Sequence, residues 1–403
     1  MQIFLLAILA DFLNYTHNHS SLDFRMPDKK IFLRWPRLIL VIAALSVAAC
    51  HREIKVPPLI ERNITLSDLF FDVSPTSPER ALIGGARGKL LLTEDGGRHF
   101  KRVKLGSDLA VFGVQMIDAE NGYLCGQDGL IMRTHDGGNT WERLNSRTHL
   151  YIFALSFTDR LHGFFVGDQA LVLSTNNGGE SFFKRRLERS FPEEIKDYAL
   201  PYMEPVLYGV NFVDPDHGWV VGEMGRIWST DNSGKTWTEQ QGSLVSQWRR
   251  EPAANEDPRF RDFVLPTLFG VSFRDQKQGA ACGLEGSIIA TDDGGKTWTF
   301  QKEAPKPGAP ADETTPGAPQ IPAHDPLFGI QLFGGSDGMS TGLTGTVLRL
   351  QPDGIWAHDP SVPALPLPLS QVRFFDAQHG WIVGYGTILY TEDGGKTWRM
   401  CQG

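Results

Sequence analysis

Along most of the chain, apolar and polar residues alternate in short runs separated by glycine, aspartate and asparagine. That is the pattern of half-buried antiparallel strands joined by tight turns. Residues 206–240, VLYGVNFVDPDHGWVVGEMGRIWSTDNSGKTWTEQ, show it most clearly. The alternation predicts a first strand over 208–213, a turn over 214–218 and a second strand over 219–222. A tight turn over 223–225, a third strand over 226–230 and a last strand from Trp237 complete the block. The same block recurs from Leu69, Leu109, Leu150, Thr267, Pro326 and Leu367, which makes seven copies. None carries a helical period.

A four-stranded sheet of this size cannot bury both faces alone, so the copies must pack face to face, and closing them in a ring leaves no sheet face exposed. The prediction is an all-β fold, a seven-bladed β-propeller of four-stranded antiparallel blades over residues 67–403. Residues 51–66 are read as a linker able to supply a ring-closing strand to the last blade.

The turn between the third and fourth strands is the most specific motif. It reads TEDGGRHF from Thr93, THDGGNTW from Thr134, TNNGGESF from Thr175, TDNSGKTW from Thr230, TDDGGKTW from Thr291 and TEDGGKTW from Thr391. The sixth copy is a decayed version with Asp353, Gly354 and Trp356. These turns resemble Asp-box repeats, also called bacterial neuraminidase repeats. Their physics is local: a carboxylate or amide accepts hydrogen bonds from its own turn, and glycine adopts the positive φ. Asp95, Asp136, Asn177, Asn232, Asp293 and Asp393 are therefore expected to be structural, and the aromatic that closes each turn to pack between strands or blades.

The steps between successive closing aromatics are 41, 41, 55, 61, 58 and 42 residues, so three consecutive junctions carry insertions, at 186–205, 242–266 and 302–325. Each joins a fourth strand to the next first strand, on the face opposite the Asp-box turns. Long loops on one face of a repeat array are where binding resides. The first two carry the residue types that anchor protein interfaces, and Tyr198, Tyr202, Trp248, Arg249 and Arg250 are the partner-binding candidates. The third insertion is rich in Pro and Ala.

Composition adds limits. The chain has 403 residues and a formal charge of −8, which argues against a general nucleic-acid binder. Residues 26–50 pair a basic start with an apolar run and end on Val47, Ala48, Ala49 and Cys50, as a secretory signal does. The run is short for a membrane span. It resembles the bacterial lipobox, which makes Cys50 the expected lipid anchor of an extracytoplasmic, membrane-attached protein on the periplasmic face of the outer membrane. Residues 1–25 are read as a start site placed too early.

No catalytic constellation emerges. The equivalent first-strand residues Ser74, Gln115, Ser156, Asn211, Ser272, Gln331 and Arg373 are expected to line a narrow, wet axial channel, with Arg373 as its one charge and a candidate for partner or anion binding. No histidines form the close pair expected of zinc, so neither metal nor cofactor is expected. His162, His217 and His379 each precede a glycine in the first turn of their blades. Cys125 and Cys282 share one second-strand position and read as small buried side chains. The Asp-box family includes sialidases, with a triad of arginines, a Tyr nucleophile beside a Glu, and an acid/base Asp. That set is absent here, and Tyr385 has no evident Glu partner. A sialidase-like or glycan-binding protein is the alternative reading.

The whole block, with its FGV strand, His-Gly turn, WVVG strand and DGGKTW box, resembles the photosystem II assembly and stability factor propellers over residues 67–401. The resemblance implies a non-catalytic seven-bladed scaffold. It implies a precursor subunit of a membrane-protein complex as partner, and the thylakoid lumen as the location in a photosynthetic organism. Family members use an Arg-rich patch on the ring, whereas this chain shows only the isolated Arg87, Arg226 and Arg373.

Overall fold

The computed structural model describes residues 63–188, 204–245, 247, 265–301, 325–334 and 337–402. Numbered in chain order, 28 strands form seven antiparallel four-stranded sheets, each built from consecutive strands. The innermost strands are β1 (Phe70–Pro75), β5 (Val111–Met116), β9 (Ile152–Phe157), β13 (Leu207–Phe212), β17 (Leu268–Phe273), β21 (Leu327–Phe333) and β25 (Leu369–Phe374). Blades are numbered with them, one to seven. The outermost are β4 (Lys101–Val103), β8 (Glu142–Arg143), β12 (Phe183–Arg186), β16 (Thr238–Glu239), β20 (Thr299–Phe300), β24 (Trp356–His358) and β28 (Arg399–Met400). The expected strand boundaries in the fourth blade hold to within a residue.

Second strands, such as Gly218–Gly222, are buried along their whole length. Both sheet faces meet a neighbouring blade, so the buried clusters sit between blades. Trp219 of blade four stacks on Phe273 of blade five at 3.5 Å, Phe164 on Phe212 at 3.8 Å and Tyr123 on Phe157 at 3.9 Å. Burying one such ring contributes about 2–3 kcal/mol. Cys125 and Cys282 are fully buried free thiols, as expected, and Cys401 joins them; burial pushes Cys282 and Cys401 up to about 12.

The row expected to line the channel also ties the blades to one another. Ser74 Oγ accepts the N–H of Met116 at 2.8 Å, Gln115 Oε1 that of Phe157 at 2.8 Å, and Ser156 Oγ that of Phe212 at 2.9 Å. Asn211 Oδ1 accepts from Phe273 at 2.7 Å, Ser272 Oγ from Leu332 at 3.0 Å, and Gln331 Oε1 from Phe374 at 2.6 Å. Each side chain thus clamps the inner strand of the next blade. A first strand in a ring turns both faces toward neighbours, and this row reaches sideways. The seventh position breaks the series twice over: Arg373 offers no acceptor, and the residue it would meet, Pro75, has no N–H.

The seam between blades seven and one is closed instead at its two ends. Leu69 forms an isolated bridge with Tyr385, Gly386 N donates to Asp68 O at 2.7 Å, and Tyr390 Oη donates to Pro78 O at 3.1 Å. Ile64, Phe70, Trp381, Tyr390 and Cys401 share one buried cluster there. Blade seven draws all four strands from the end of the chain, and among the described residues no further strand joins it. Of the linker expected to close the ring, residues 51–62 lie outside the described residues.

Candidate functional site

The Asp-box turns are self-satisfied. In the fifth, Thr291 Oγ1 donates to Asp293 Oδ1 at 2.9 Å and accepts from Gly295 N at 2.8 Å. Thr297 then donates both its backbone N–H and its hydroxyl to the same carboxylate. Asp393 repeats the arrangement, and the hydroxyl and N–H of Thr397 hold its carboxyl at about 2. At Asp95 and Asp136 partial desolvation pushes upward, but the bonds from the turn outweigh it and hold both at about 2. Among the described residues no cluster of His, Cys, Asp or Glu has the makings of a metal site.

The turns also couple blades, which the sequence did not suggest. The carbonyl of the first glycine accepts from the preceding blade: Gly178 O from Arg133 at 2.8 Å and from the Tyr123 hydroxyl at 2.9 Å, Gly294 O from the Trp219 indole at 2.9 Å, and Gly394 O from Arg349 at 2.8 Å. Arg80 reaches Gly137 O and Arg399 reaches Gly96 O in the same way. Between blades three and four the first glycine is replaced by Ser233, which holds φ +59°, and Arg185 bonds Lys235 O instead at 2.7 Å.

On the opposite face, where the insertions emerge, every inner strand carries a β-bulge at its second residue. A bulge re-aims the extra side chain. In six blades that residue is aromatic: Phe71, Phe112, Phe153, Tyr208, Phe269 and Phe328. Neighbouring rings lie 5.1–5.5 Å apart. Blade seven has Ser370, so the collar is open on one side. The sequence signal was an aromatic at the second position of the first strand, before Gly or Ala in five of the six, but a bulge breaks the period of two by which strands are read.

Two carboxylates border the collar. Asp168 accepts from Tyr151 N at 3.3 Å and Glu223 from Val206 N at 3.0 Å, just as Gln127 accepts from Ala110 N at 3.3 Å. All three are the first residue of the turn between strands two and three, and each fastens its own blade's inner strand. Burial, with the charge of Glu223, raises the Asp168 carboxyl; burial, Glu223 and Asp168 raise the Tyr208 phenol.

Of the predicted partner-binding residues, Arg373 alone lies among the described residues. Tyr198, Tyr202, Trp248, Arg249, Arg250 and Cys50 lie outside the described residues. Arg373 is half-buried at the seam end of the ring, where Nη1 donates to Gln371 Oε1 at 2.8 Å and to the carbonyls of Val372 and Ile330. Asp72 faces it across the seam. Burial raises the Asp72 carboxyl, opposed by the charge of Arg373 and the N–H groups of Val114 and Val73. Arg226 is buried and paired with Glu239 at 3.4 Å, whereas Arg87 is exposed in a turn. His162, His217 and His379 each bond the aspartate three residues before.

The first insertion begins, and the second both begins and ends, on buried leucines. Leu187, Leu244 and Leu265 are buried, and a single helical turn, α1 (Gly242–Val245), opens the second insertion. Ser243 Oγ accepts from Trp298 N at 2.9 Å, while the Gln247 amide donates to Trp298 O at 2.7 Å and accepts from Phe300 N at 3.2 Å. Two side chains therefore cover the outer edge of blade five.

Against known proteins, the sequence model of the photosynthesis system II assembly factor YCF48 matches residues 55–151, less than half of the chain. No curated protein matches in sequence. Among solved structures, YCF48 bound to D1 peptide is 18% identical with a TM-score of 0.51, over 74% of this chain and 83% of that one. YCF48 from Cyanidioschyzon merolae is 21% identical with a TM-score of 0.52, over 74% and 87%. The GH74 xyloglucanase from Xanthomonas campestris is 14% identical with a TM-score of 0.58; it matches 84% of this chain, which spans 55% of the enzyme's length. The chain is a propeller resembling the photosystem II assembly factors, and the solved structures bear on its fold.

Proposed function

We propose that this protein is a non-catalytic binding scaffold, an assembly factor for a membrane-protein complex that holds a segment of a precursor subunit. The carrying observation is the match of residues 55–151 to the YCF48 family in a ring of matching fold. The solved relative bound to a D1 peptide supports a peptide-binding role. In the same reading Cys50 carries a lipid that tethers the propeller outside the cytoplasm.

The test is affinity capture of the full chain from gently solubilised membranes, beside a variant with 189–203 and 248–264 shortened. Sparing Leu187, Leu244, Gln247 and Leu265 keeps the blades intact. Specific recovery of a membrane complex by the native chain supports the reading, its loss from the variant assigns the contact to the insertions, and no recovery overturns the reading. Cys50→Ser tests the anchor through incorporation of a labelled fatty acid. The likeness to a GH74 enzyme favours a glycan-active second reading, and xyloglucan hydrolysis by the purified chain would establish it.

A further inference from the structure

We propose that the rim between blades three and four is the docking site for an extended, carboxylate-bearing segment of a partner protein, added as a strand to the outer edge of blade three. The inference rests on the scaffold reading and names its site.

The edge is built differently from the others. β12 has four residues, all exposed, where the other outer strands have two or three. Leu187 N donates inward to Ala170 O at 3.0 Å, so alternation turns the backbone groups of Lys184 and Arg186 outward, where among the described residues no backbone group pairs with them. Blade five shows what covering looks like, with Ser243 and Gln247 occupying the edge of β20.

Charge selects the occupant. A cleft of about 580 Å³ opens beside β12, lined by His162, Phe164, Phe183, Arg185, Lys235 and Trp237 among others, with no Asp or Glu in its wall. The protein as a whole carries −8. Lys184 reaches only Thr148 Oγ1 and Arg185 only Lys235 O; among the described residues neither they nor Lys235 has a carboxylate at ion-pairing distance. Lysines alone would read as protection of an edge against pairing. Phe183, 63% exposed in the same strand, argues the other way, because it offers an apolar anchor where protection calls for none. Cations and an aromatic beside a free edge fit a strand that alternates acidic and apolar residues.

The probe is a labelled synthetic peptide alternating Glu with Val, followed by anisotropy on the full chain. Saturable binding is expected, weakened at least about tenfold by Arg185→Glu with Lys235→Glu, and unchanged by Lys277→Glu on blade five. A Lys-for-Glu peptide is expected not to bind. N-methylation of alternate peptide nitrogens is expected to abolish binding in one register and spare it in the other, a signature that attraction between charges alone does not give. Equal binding by the double variant, or equal behaviour of the two registers, overturns the proposal. Urea midpoints establish that the variants are folded. In membrane capture, a partner retained equally by the native chain and the double variant leaves the scaffold standing and removes this site; no partner with either removes the scaffold reading itself.

Discussion

Replacing Gln115 with methionine removes one clamp of the inner ring at nearly constant volume. The amide makes two bonds to the next blade: Oε1 accepts from Phe157 N at 2.8 Å and Nε2 donates to Phe157 O at 2.9 Å. Phe157 is buried, so its stranded N–H costs about 1–3 kcal/mol, and the lost bond to the carbonyl adds about 0.5–1.5 kcal/mol. A carbonyl retains a second lone pair, which keeps its share at the low end, and the sum is about 2–3 kcal/mol. Arg373→Lys is the matched control, at the same strand position where no clamp exists, and it keeps the positive charge that opposes the burial of Asp72. It is expected to change stability by less than about 1 kcal/mol, because it removes bonds only to groups on its own strand and to Ile330 O. Urea unfolding followed by tryptophan fluorescence reads both, with equal m-values licensing the comparison. Equal losses in the two variants, or a Gln115→Met protein as stable as the native one, would refute the assignment of that row to inter-blade clamping.

Other predictions follow from the turns and the thiols. The Asp95, Asp136 and Asp393 carboxyls sit at about 2, below the unfolded value of about 4, so the unfolded chain binds more protons through that window. Their contribution is present above about pH 4 and disappears as the pH falls toward 2; in an acid titration of fluorescence, Asp393→Asn should flatten part of this slope, and an unchanged slope counts against it. Gly97→Ala places a Cβ 2.5 Å from Cys401 Sγ and 3.0 Å from Trp381 at φ +77°, whereas Gly106→Ala at φ +67° meets nothing within 4 Å. The second should cost about 1 kcal/mol of left-handed strain and the first clearly more, read as thermal midpoints. Cys125, Cys282 and Cys401 should label with a maleimide only as the ring unfolds, which peptide mass mapping in graded urea would show.

The blades were legible in the sequence because each repeats a turn whose chemistry is local. A threonine, an aspartate and a glycine within one turn fix its shape whatever surrounds them, and Asp95, Asp136, Asp293 and Asp393 each hold bonds of their own turn. The clamping role of the inner row went unseen because alternation reports which face a side chain occupies, not what that face meets: Ser74 and Asn211 looked suited to water, and they hold the next blade's N–H. The collar escaped for a different reason, since Phe112 and Tyr208 sit on bulges that interrupt the period. The coupling of Gly178 O or Gly394 O to the blade before joins residues some forty-five apart. Such pairs become visible only once the ring sets which blades are neighbours.

The unclamped seam also bears on how the molecule is made. Synthesis delivers blade one first and blade seven last, and the Arg399 contact with Gly96 O spans 303 residues. Phe70 and Phe100 at one end and Trp381 and Tyr390 at the other share one buried cluster in the closed ring, and before closure they lack each other as cover. A ring of this design has two apolar ends to join before it closes, and exposed apolar surface of that kind favours association with another copy. Moving the termini to a clamped junction would shift that exposure to a face that must also satisfy an inner N–H, a demand that the seam at Pro75 does not make.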